Sequence, residues 1–228
     1  MSNNKKVLIV LTNVATYGQT NDATGLWLGE ATEFIDELFK VGIEVDYTSP
    51  NGGYVPIDPR SLNYLDENIT SYYKDSDFQE RALMHSIPAK EINPDDYSAI
   101  YYTGGHGVMW DFPNNPYLQR ISEAIYKNGG YITSVCHGIA GLFFLQDDNR
   151  KPLIAGKKIT GFTTAEEYLS GKVKKVPFMN ETLAQQRGAN FLKKRAYKPF
   201  AIQDGQLITG QNPFSPREVA HLLIQNIK

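Results

Sequence analysis

The sequence contains a single cysteine, Cys136, among 228 residues. One cysteine excludes an intramolecular disulfide and any zinc site built from several thiolates, and it favours a reducing setting inside the cell. Histidines are also few. The four that are present are scattered along the chain without the spacing of metal ligands. We therefore expect a cytoplasmic protein that holds no metal.

The chain also lacks a strong charge of either sign and a long apolar run. Its 23 basic and 25 acidic residues give a formal net charge of -2, so charge offers no reason to expect nucleic acid or an anionic membrane as partner. No apolar run approaches the roughly 18 residues of a membrane span. The short run at residues 7–11 is interpreted as a first strand and not as a leader.

Strand and helix patterns alternate along the chain. Apolar runs predict strands at residues 7–11, 43–48, 97–103, 130–135 and 159–162, and residues 201–209 are typical of a hairpin with Asp204 and Gly205 in its turn. Helical spacing is found before Gly42 and at residues 116–127. This alternation predicts an α/β fold with a mainly parallel sheet and helices on both faces.

Residues 51–96 interrupt the alternation after the second strand. The stretch is rich in proline and acidic residues and is too long for an ordinary connection. We expect it to be an inserted cap or lid segment within one domain that spans residues 1–228. With 41% hydrophobic residues, a chain of this length can build one full core.

Cys136 lies at a predicted junction of strand and helix, in Gly130-Tyr-Ile-Thr-Ser-Val-Cys-His-Gly-Ile-Ala-Gly141. A reactive residue on such a sharp turn is the nucleophile-elbow arrangement. The positive end of the following helix would lower the pKa of the thiol. A lone cysteine can equally be a small buried hydrophobe. The adjacent His137 favours the interpretation as a nucleophile, because a thiol needs a neighbouring base.

Several motifs in order along the chain resemble the DJ-1/PfpI superfamily, and within it the Hsp31-like branch. The matching pieces are Gly25-Leu-Trp-Leu-Gly-Glu30, Val45-Asp-Tyr-Thr-Ser-Pro-Asn-Gly-Gly53, Pro56-Ile-Asp-Pro59, Tyr101-Tyr-Thr-Gly-Gly-His-Gly-Val-Met-Trp-Asp-Phe-Pro113, Val135-Cys-His-Gly138, Thr160-Gly-Phe-Thr-Thr-Ala-Glu-Glu167 and Leu207-Ile-Thr-Gly-Gln-Asn-Pro213. The resemblance implies a flavodoxin-like fold of the class I glutamine-amidotransferase type and a homodimer.

The resemblance also implies roles for individual residues. Cys136 matches the nucleophile, His137 its acid/base neighbour, and Glu30 the carboxyl that hydrogen-bonds the sulfur. Glu167 matches the residue that orients the histidine, although the neighbouring Glu166 is an alternative. Backbone N–H groups of Gly105 and His137 are candidate oxyanion donors. His106 either contacts substrate or stabilises its glycine-rich loop.

The activity that the resemblance implies is that of glyoxalase III. Such an enzyme converts methylglyoxal or glyoxal and water to lactate or glycolate, and it uses its own thiol in place of glutathione, metal or cofactor. Two alternatives stay open at this point. One is a stress-response chaperone or a redox sensor with an exposed, low-pKa thiol. The other is a protein deglycase or amidase that uses the same cysteine.

Overall fold

The computed structural model describes residues 6–227, so the ends of the predicted 1–228 domain lie outside the described residues. A seven-stranded sheet runs through this part of the chain. Its strands are β1 Lys6–Val10, β2 Val45–Ser49, β3 Ile87–Pro88, β4 Tyr97–Tyr102, β5 Tyr131–Val135, β8 Ala201–Asp204 and β9 Leu207–Gly210. They lie side by side in the order β3-β2-β1-β4-β5-β9-β8. Every neighbouring pair is parallel except β8 and β9, which form the predicted antiparallel hairpin.

Helices cover the sheet and connect its strands. The α-helices are α1 Leu28–Phe39, α2 Glu67–Lys74, α3 Ser76–Phe78, α4 Val108–Asp111, α5 Pro116–Lys127, α6 Thr164–Leu169, α7 Asn180–Gln186 and α8 Pro216–Ile227. Within residues 6–227, no helix combines the length and the apolar character that crossing a bilayer requires.

The side chains of β1 show why both faces of the sheet are covered. Val7 and Ile9 are fully buried in a core that also contains apolar side chains of α1 and α8. Leu8 and Val10 are equally buried in a second core, which they share with apolar residues of α5. Because successive side chains of a strand point to opposite faces, a continuous apolar run requires a helix layer on each side.

The predicted fold class is confirmed, and the strand predicted at residues 159–162 is present but ends at Ile159. Residues 159–162 do not extend the central sheet. Instead β6, Lys158–Ile159, pairs with β7, Asn190–Phe191, in a separate two-stranded sheet. The remainder of the predicted strand, Thr160 to Phe162, is buried irregular chain that leads towards α6. These residues are buried, as those of a strand would be, but they have no strand partner.

The segment predicted as an insertion contains short pieces of structure between β2 and β4. They are a 3₁₀ helix at Pro59–Tyr64, α2, α3, a π-helical turn at Gln79–Met84, β3 and two further 3₁₀ turns at Ala89–Glu91 and Pro94–Asp96. Ile69, Phe78 and Leu83 anchor the segment in the core beside α1. The 3₁₀ helix at Pro59–Tyr64 contributes side chains to the cleft described below.

Candidate active site

Cys136 directly follows β5 and has a φ of +56°, in the left-handed region that residues other than glycine rarely adopt. The chain must turn sharply here to begin the 3₁₀ helix Cys136–Leu142. Close packing holds the turn, since a Cβ on Gly138 would lie 2.3 Å from the carbonyl oxygen of Tyr102. A strained backbone kept by its surroundings is typical of functional sites, and the predicted elbow turn is present.

The surroundings of the thiol correct a prediction. Cys136 is 3% exposed, and burial raises the pKa of its thiol well above the ordinary value. The predicted lowering by a helix end is therefore wrong, because the loss of hydration outweighs the partial charge of one short 3₁₀ helix. The thiol of the resting protein carries its proton, and attack on a substrate requires a base.

His137 is placed to be that base. Its Nδ1 lies 3.3 Å from Sγ of Cys136, and its Nε2 lies 2.8 Å from Oε2 of Glu167. Burial opposes ionisation of Glu167, but the two histidines beside it bring the pKa of the carboxyl below its usual range. A carboxylate on one imidazole nitrogen leaves the other nitrogen free to take a proton from sulfur.

Glu166 has a different environment from Glu167, although the two are adjacent in α6. The Oε2 of Glu166 accepts hydrogen bonds from the backbone and side chain of Thr163, which closes a capping box at the start of the helix. Its Oε1 accepts from Tyr197, Gln211 and Asn212. The carboxyl of Glu166 therefore stabilises the loop that contains Tyr197 and the loop that contains Gln211 and Asn212, whereas the carboxyl of Glu167 binds the two histidines.

Glu30, in the first turn of α1, approaches the thiol from another side. Its carboxyl is fully buried, and burial raises its pKa well above the ordinary value, which favours the neutral acid. The Cys136 thiol and the Gly104 N–H face it, but within the described part of the chain neither carboxyl oxygen has a hydrogen bond of good geometry. A neutral acid with two unengaged oxygens beside a nucleophile can both give and take a proton.

His106, which was predicted either to contact substrate or to stabilise its loop, belongs to the same polar network. Its Nε2 lies 2.9 Å from Oε1 of Glu167, and its ring lies 4.0 Å from that of His137. Burial and the neighbouring His137 lower the pKa of His106 to about 4, so the ring is neutral. Arg60 donates towards its Nδ1 over 3.4 Å and is itself paired with Asp58. His106 thus fixes its loop to Glu167 and also lines the cleft.

Ligand atoms of His106, His137 and Glu167 lie within 4.8 Å of one another, a spacing that a metal ion can use. The sequence did not reveal this group, because its members are far apart along the chain. A metal bound here would displace the hydrogen bonds that join Glu167 to both imidazoles. It would then compete with the role of Glu167 in orienting His137.

A cleft of about 420 Å³ opens above the thiol. Gly105 lines it beside the cysteine, and glycine is required there because its φ is +100° and a Cβ would lie 2.1 Å from the carbonyl oxygen of Gly25. The His137 N–H faces the sulfur. The two groups predicted as oxyanion donors are therefore in residues that adjoin the thiol.

Most other lining residues were not predicted from the sequence. They are aromatic or polar side chains from segments whose sequence has no regular apolar pattern, namely Arg60, Asn63, Tyr64, Phe162, Tyr197 and Phe214. Trp27 also lines the cleft. The other aromatic residues of the family motifs do not: Tyr101 and Phe112 are buried in the two cores, and Trp110 packs edge-on against Tyr17.

Comparison with known proteins places these features in a family. The DJ-1/PfpI family model matches residues 25–226. The chain is 36% identical to the glutathione-independent glyoxalase HSP31 of Saccharomyces cerevisiae, over 98% of both chains, and 33% identical to glyoxalase 3 of Candida albicans, over 96% of this chain and 97% of the other.

Solved structures agree with this relationship. The Rapid Encystment Protein of Francisella tularensis superposes with a TM-score of 0.95 at 34% identity and covers 98% of this chain and 99% of its own. Glyoxalase III of Candida albicans superposes with a TM-score of 0.90 at 30% identity, over 99% and 98% of the two chains. The resemblance seen in the motifs is confirmed, and the chain belongs to the DJ-1/PfpI family.

Proposed function

We propose that this protein is a glutathione-independent glyoxalase, which converts methylglyoxal or glyoxal and water to lactate or glycolate. The observation that carries the proposal is the placement of one thiol between two proton-handling groups. The His137–Glu167 pair is on one side of Cys136, and the buried, neutral Glu30 is on the other. Relatives named as glutathione-independent glyoxalases at 33–36% identity over nearly the whole chain support the same activity.

The first step is addition of Cys136 to the aldehyde carbon. A carbon–sulfur bond forms, and the thiol proton passes to Nδ1 of His137 and then to the former aldehyde oxygen. The product is a hemithioacetal. The N–H groups of Gly105 and His137 stabilise the negative charge that develops on that oxygen during the addition, as oxyanion donors do in acyl transfer.

The second step moves a proton between the two carbons. One oxygen of Glu30 gives its proton to the ketone oxygen while the other takes the proton of the hemithioacetal carbon, which leaves an enediol on sulfur. Glu30 then gives the proton that it took to the former ketone carbon and takes a proton from the hydroxyl on the sulfur-bearing carbon. The carboxyl ends neutral, as it began, and the adduct is now a thioester of the hydroxy acid.

The last step is hydrolysis of the thioester. His137, oriented by Glu167, takes a proton from water, and the resulting hydroxide attacks the thioester carbon. The carbon–sulfur bond breaks, and the sulfur regains its proton from His137. Overall one water is consumed, the aldehyde carbon is oxidised and the ketone carbon is reduced, so no external electron acceptor is needed. The chain's own thiol replaces glutathione.

The alternative of an exposed redox-sensing thiol has less support, because Cys136 is 3% exposed and its pKa is raised by burial. Deglycation or amide hydrolysis would use the same Cys136, His137 and Glu167. Amide hydrolysis, however, moves no proton between adjacent carbons, which is the step for which the two oxygens of the buried Glu30 are suited. The environment of Glu30 therefore favours the glyoxalase over an amidase.

The proposal includes the molecular setting of the site. Residues 51–96 act as a cap, because their 3₁₀ helix supplies Arg60, Asn63 and Tyr64 to the cleft. We further propose a cytoplasmic homodimer, on the basis of the family resemblance and the single cysteine. Sedimentation at micromolar concentration tests the dimer, which fails if only a 25.6 kDa species is seen.

The activity is tested by proton NMR of methylglyoxal incubated with purified protein, after chelator treatment and without glutathione. We expect stoichiometric conversion to lactate by the wild type and none by Cys136→Ala. Absence of lactate with the wild type, or full activity of the variant, would remove the proposal. Suppression of client aggregation by both proteins without lactate formation would favour the chaperone alternative.

A further inference from the structure

Five aromatic side chains line the cleft above Cys136, and each ring lies close to the next one around the cleft. The ring centroids are 5.4 Å apart for Trp27 and Tyr64, 6.3 Å for Tyr64 and Phe214, 6.4 Å for Phe214 and Tyr197, and 6.1 Å for Tyr197 and Phe162. Phe162 then lies 4.2 Å from the ring of His137. We call these five residues the aromatic belt.

The members of the belt come from five separate segments of the chain. Two of them are held by hydrogen bonds to buried polar side chains outside the cleft. Tyr197 has a φ of +57°, and its N–H donates to the carboxyl of Glu166, while the N–H of Phe214 donates to Oδ1 of Asn212. A strained, non-glycine backbone anchored on a buried charge is costly to maintain. The belt is therefore a built feature of the cleft and not a chance grouping of surface aromatics.

The outer members of the belt remain accessible to water. Tyr64 is 54% exposed and Phe214 is 45% exposed. Exposed apolar surface around a concave site gains free energy when a ligand displaces its water. The mouth of the cleft thus has apolar surface that a ligand can cover. A three-carbon aldehyde that reacts at the thiol is too small to reach this surface.

The floor of the cleft is polar and its walls are apolar. The thiol, the two imidazoles and Gly105 form the floor, and the belt forms the walls above them. Among the described residues that line the cleft, Arg60 alone has a permanently charged side chain, and Asp58 neutralises it. A volume of about 420 Å³ falls within the roughly 300–1,000 Å³ of clefts that hold drug-sized molecules.

We propose that the belt binds the substituent on the ketone carbon, so that the preferred substrates are α-oxoaldehydes with an aromatic or extended apolar substituent. This inference rests on the proposed glyoxalase activity and names its substrate class. The dicarbonyl end reaches Cys136, and the substituent stacks against Tyr64, Phe214 and Tyr197. Phenylglyoxal and one water would give mandelate, with the same internal oxidation and reduction as in lactate formation.

The test compares kcat/KM for methylglyoxal, for straight-chain 2-oxoaldehydes of increasing length and for phenylglyoxal, with purified wild-type protein. Each methylene that the belt buries should raise kcat/KM by roughly fourfold until the cleft is filled. Phenylglyoxal should exceed methylglyoxal by more than tenfold. A flat series, or a preference for methylglyoxal, would overturn the inference.

Two variants locate the effect. Tyr64→Ala and Phe214→Ala remove partly exposed rings, and each should lower the ratio of phenylglyoxal to methylglyoxal activity at least fivefold, mainly through KM. Tyr117→Ala, which removes a 45% exposed ring on α5 outside the cleft, is the matched control and should leave the ratio unchanged. If the belt variants lower both activities equally, the rings support the fold and do not select the substrate.

The result separates the two proposals. Methylglyoxal turnover without a preference for bulky substituents would remove the role of the belt and leave the glyoxalase standing. Absence of turnover with every dicarbonyl would remove both.

Discussion

Glu167 and His137 are joined by a hydrogen bond of 2.8 Å between Oε2 and Nε2, on the side of the imidazole away from the Cys136 thiol. The second oxygen of the same carboxylate holds His106 at 2.9 Å. One buried anion therefore orients two neighbouring rings, which are tilted by 41° to each other. The arrangement makes Glu167 the residue on which the tautomer of His137 depends.

Replacing Glu167 by glutamine should lower turnover of methylglyoxal by roughly 10²–10⁴-fold, because the amide no longer stabilises a proton on His137. The matched control is Glu166→Gln in the adjacent position. Glu166 supports Thr163, Tyr197 and Asn212, so its loss should lower the thermal midpoint by several degrees and spare turnover per folded molecule. Initial rates and calorimetry of both variants check the pair. An inactive, fully stable Glu166→Gln protein would reverse the assignment.

Replacing Glu30 by glutamine should block the chemistry after the thiol has reacted. The amide keeps the size of the side chain but cannot relay a proton, and turnover should fall by roughly 10²–10⁴-fold. Intact-protein mass spectrometry should still show methylglyoxal added to Cys136. Glu33→Gln, which alters a carboxyl of the same helix paired with Arg217, is the control and should remain active. If Glu30→Gln is nearly as active as wild type while Glu167→Gln is inactive, the proton relay belongs to His137.

The neutral His106 predicts a pH dependence of stability. Its pKa is about 4 in the folded protein and 6.5 in its ordinary state, so the unfolded chain binds the proton more tightly. The stability that His106 contributes is complete above pH 6.5 and is lost as the pH falls towards 4. His106→Gln should remove this loss. Denaturant titrations across pH 4–7 measure it, and the exposed His85→Gln is the control. Identical profiles for wild type and His106→Gln would contradict the prediction.

The buried carboxyl of Asp111 should change the stability of the fold with pH in the opposite direction. Burial raises its pKa from 3.8 to about 7, although Thr12 and the N–H of Asn13 donate hydrogen bonds to the carboxyl. The folded protein therefore binds the proton more tightly. The contribution is complete below pH 3.8 and is lost as the pH rises through 7. In Asp111→Asn the amide oxygen can still accept the hydrogen bonds from Thr12 and from the N–H of Asn13. Because the titrating group is gone, the loss of stability with rising pH is gone too, and the free energy of unfolding should rise more steeply between pH 4 and 7 than in the wild type. An unchanged slope in the same titrations would show that Asp111 is not perturbed.

The sequence predicted the sheet and the position of the nucleophile because both depend on local patterns. Continuous apolar runs indicate parallel strands covered on both faces, and glycines beside Cys136 and at Gly105 mark close approaches of the backbone. The motif residues Glu30 and Glu167 were named through resemblance to a family. The structure brings both to the thiol–imidazole pair.

The rest of the site could not be predicted, because it depends on contacts between distant segments. Nothing local to Cys136 indicates that its burial outweighs the charge of the following helix end, which is why its pKa was predicted in the wrong direction. The contact of His106 with Glu167 and that of Arg60 with His106 join three separate segments of the chain. The belt likewise forms only when the chain is folded.

The central claim is that the thiol of Cys136 does the work of glutathione. The measurement that tests it most directly is the initial rate of lactate formation from methylglyoxal by wild type and Cys136→Ser, each with and without added glutathione in chelator-treated buffer. We expect a wild-type rate that glutathione does not change and a background rate for Cys136→Ser under both conditions. A wild type that requires glutathione, or a Cys136→Ser protein that glutathione restores, would contradict it.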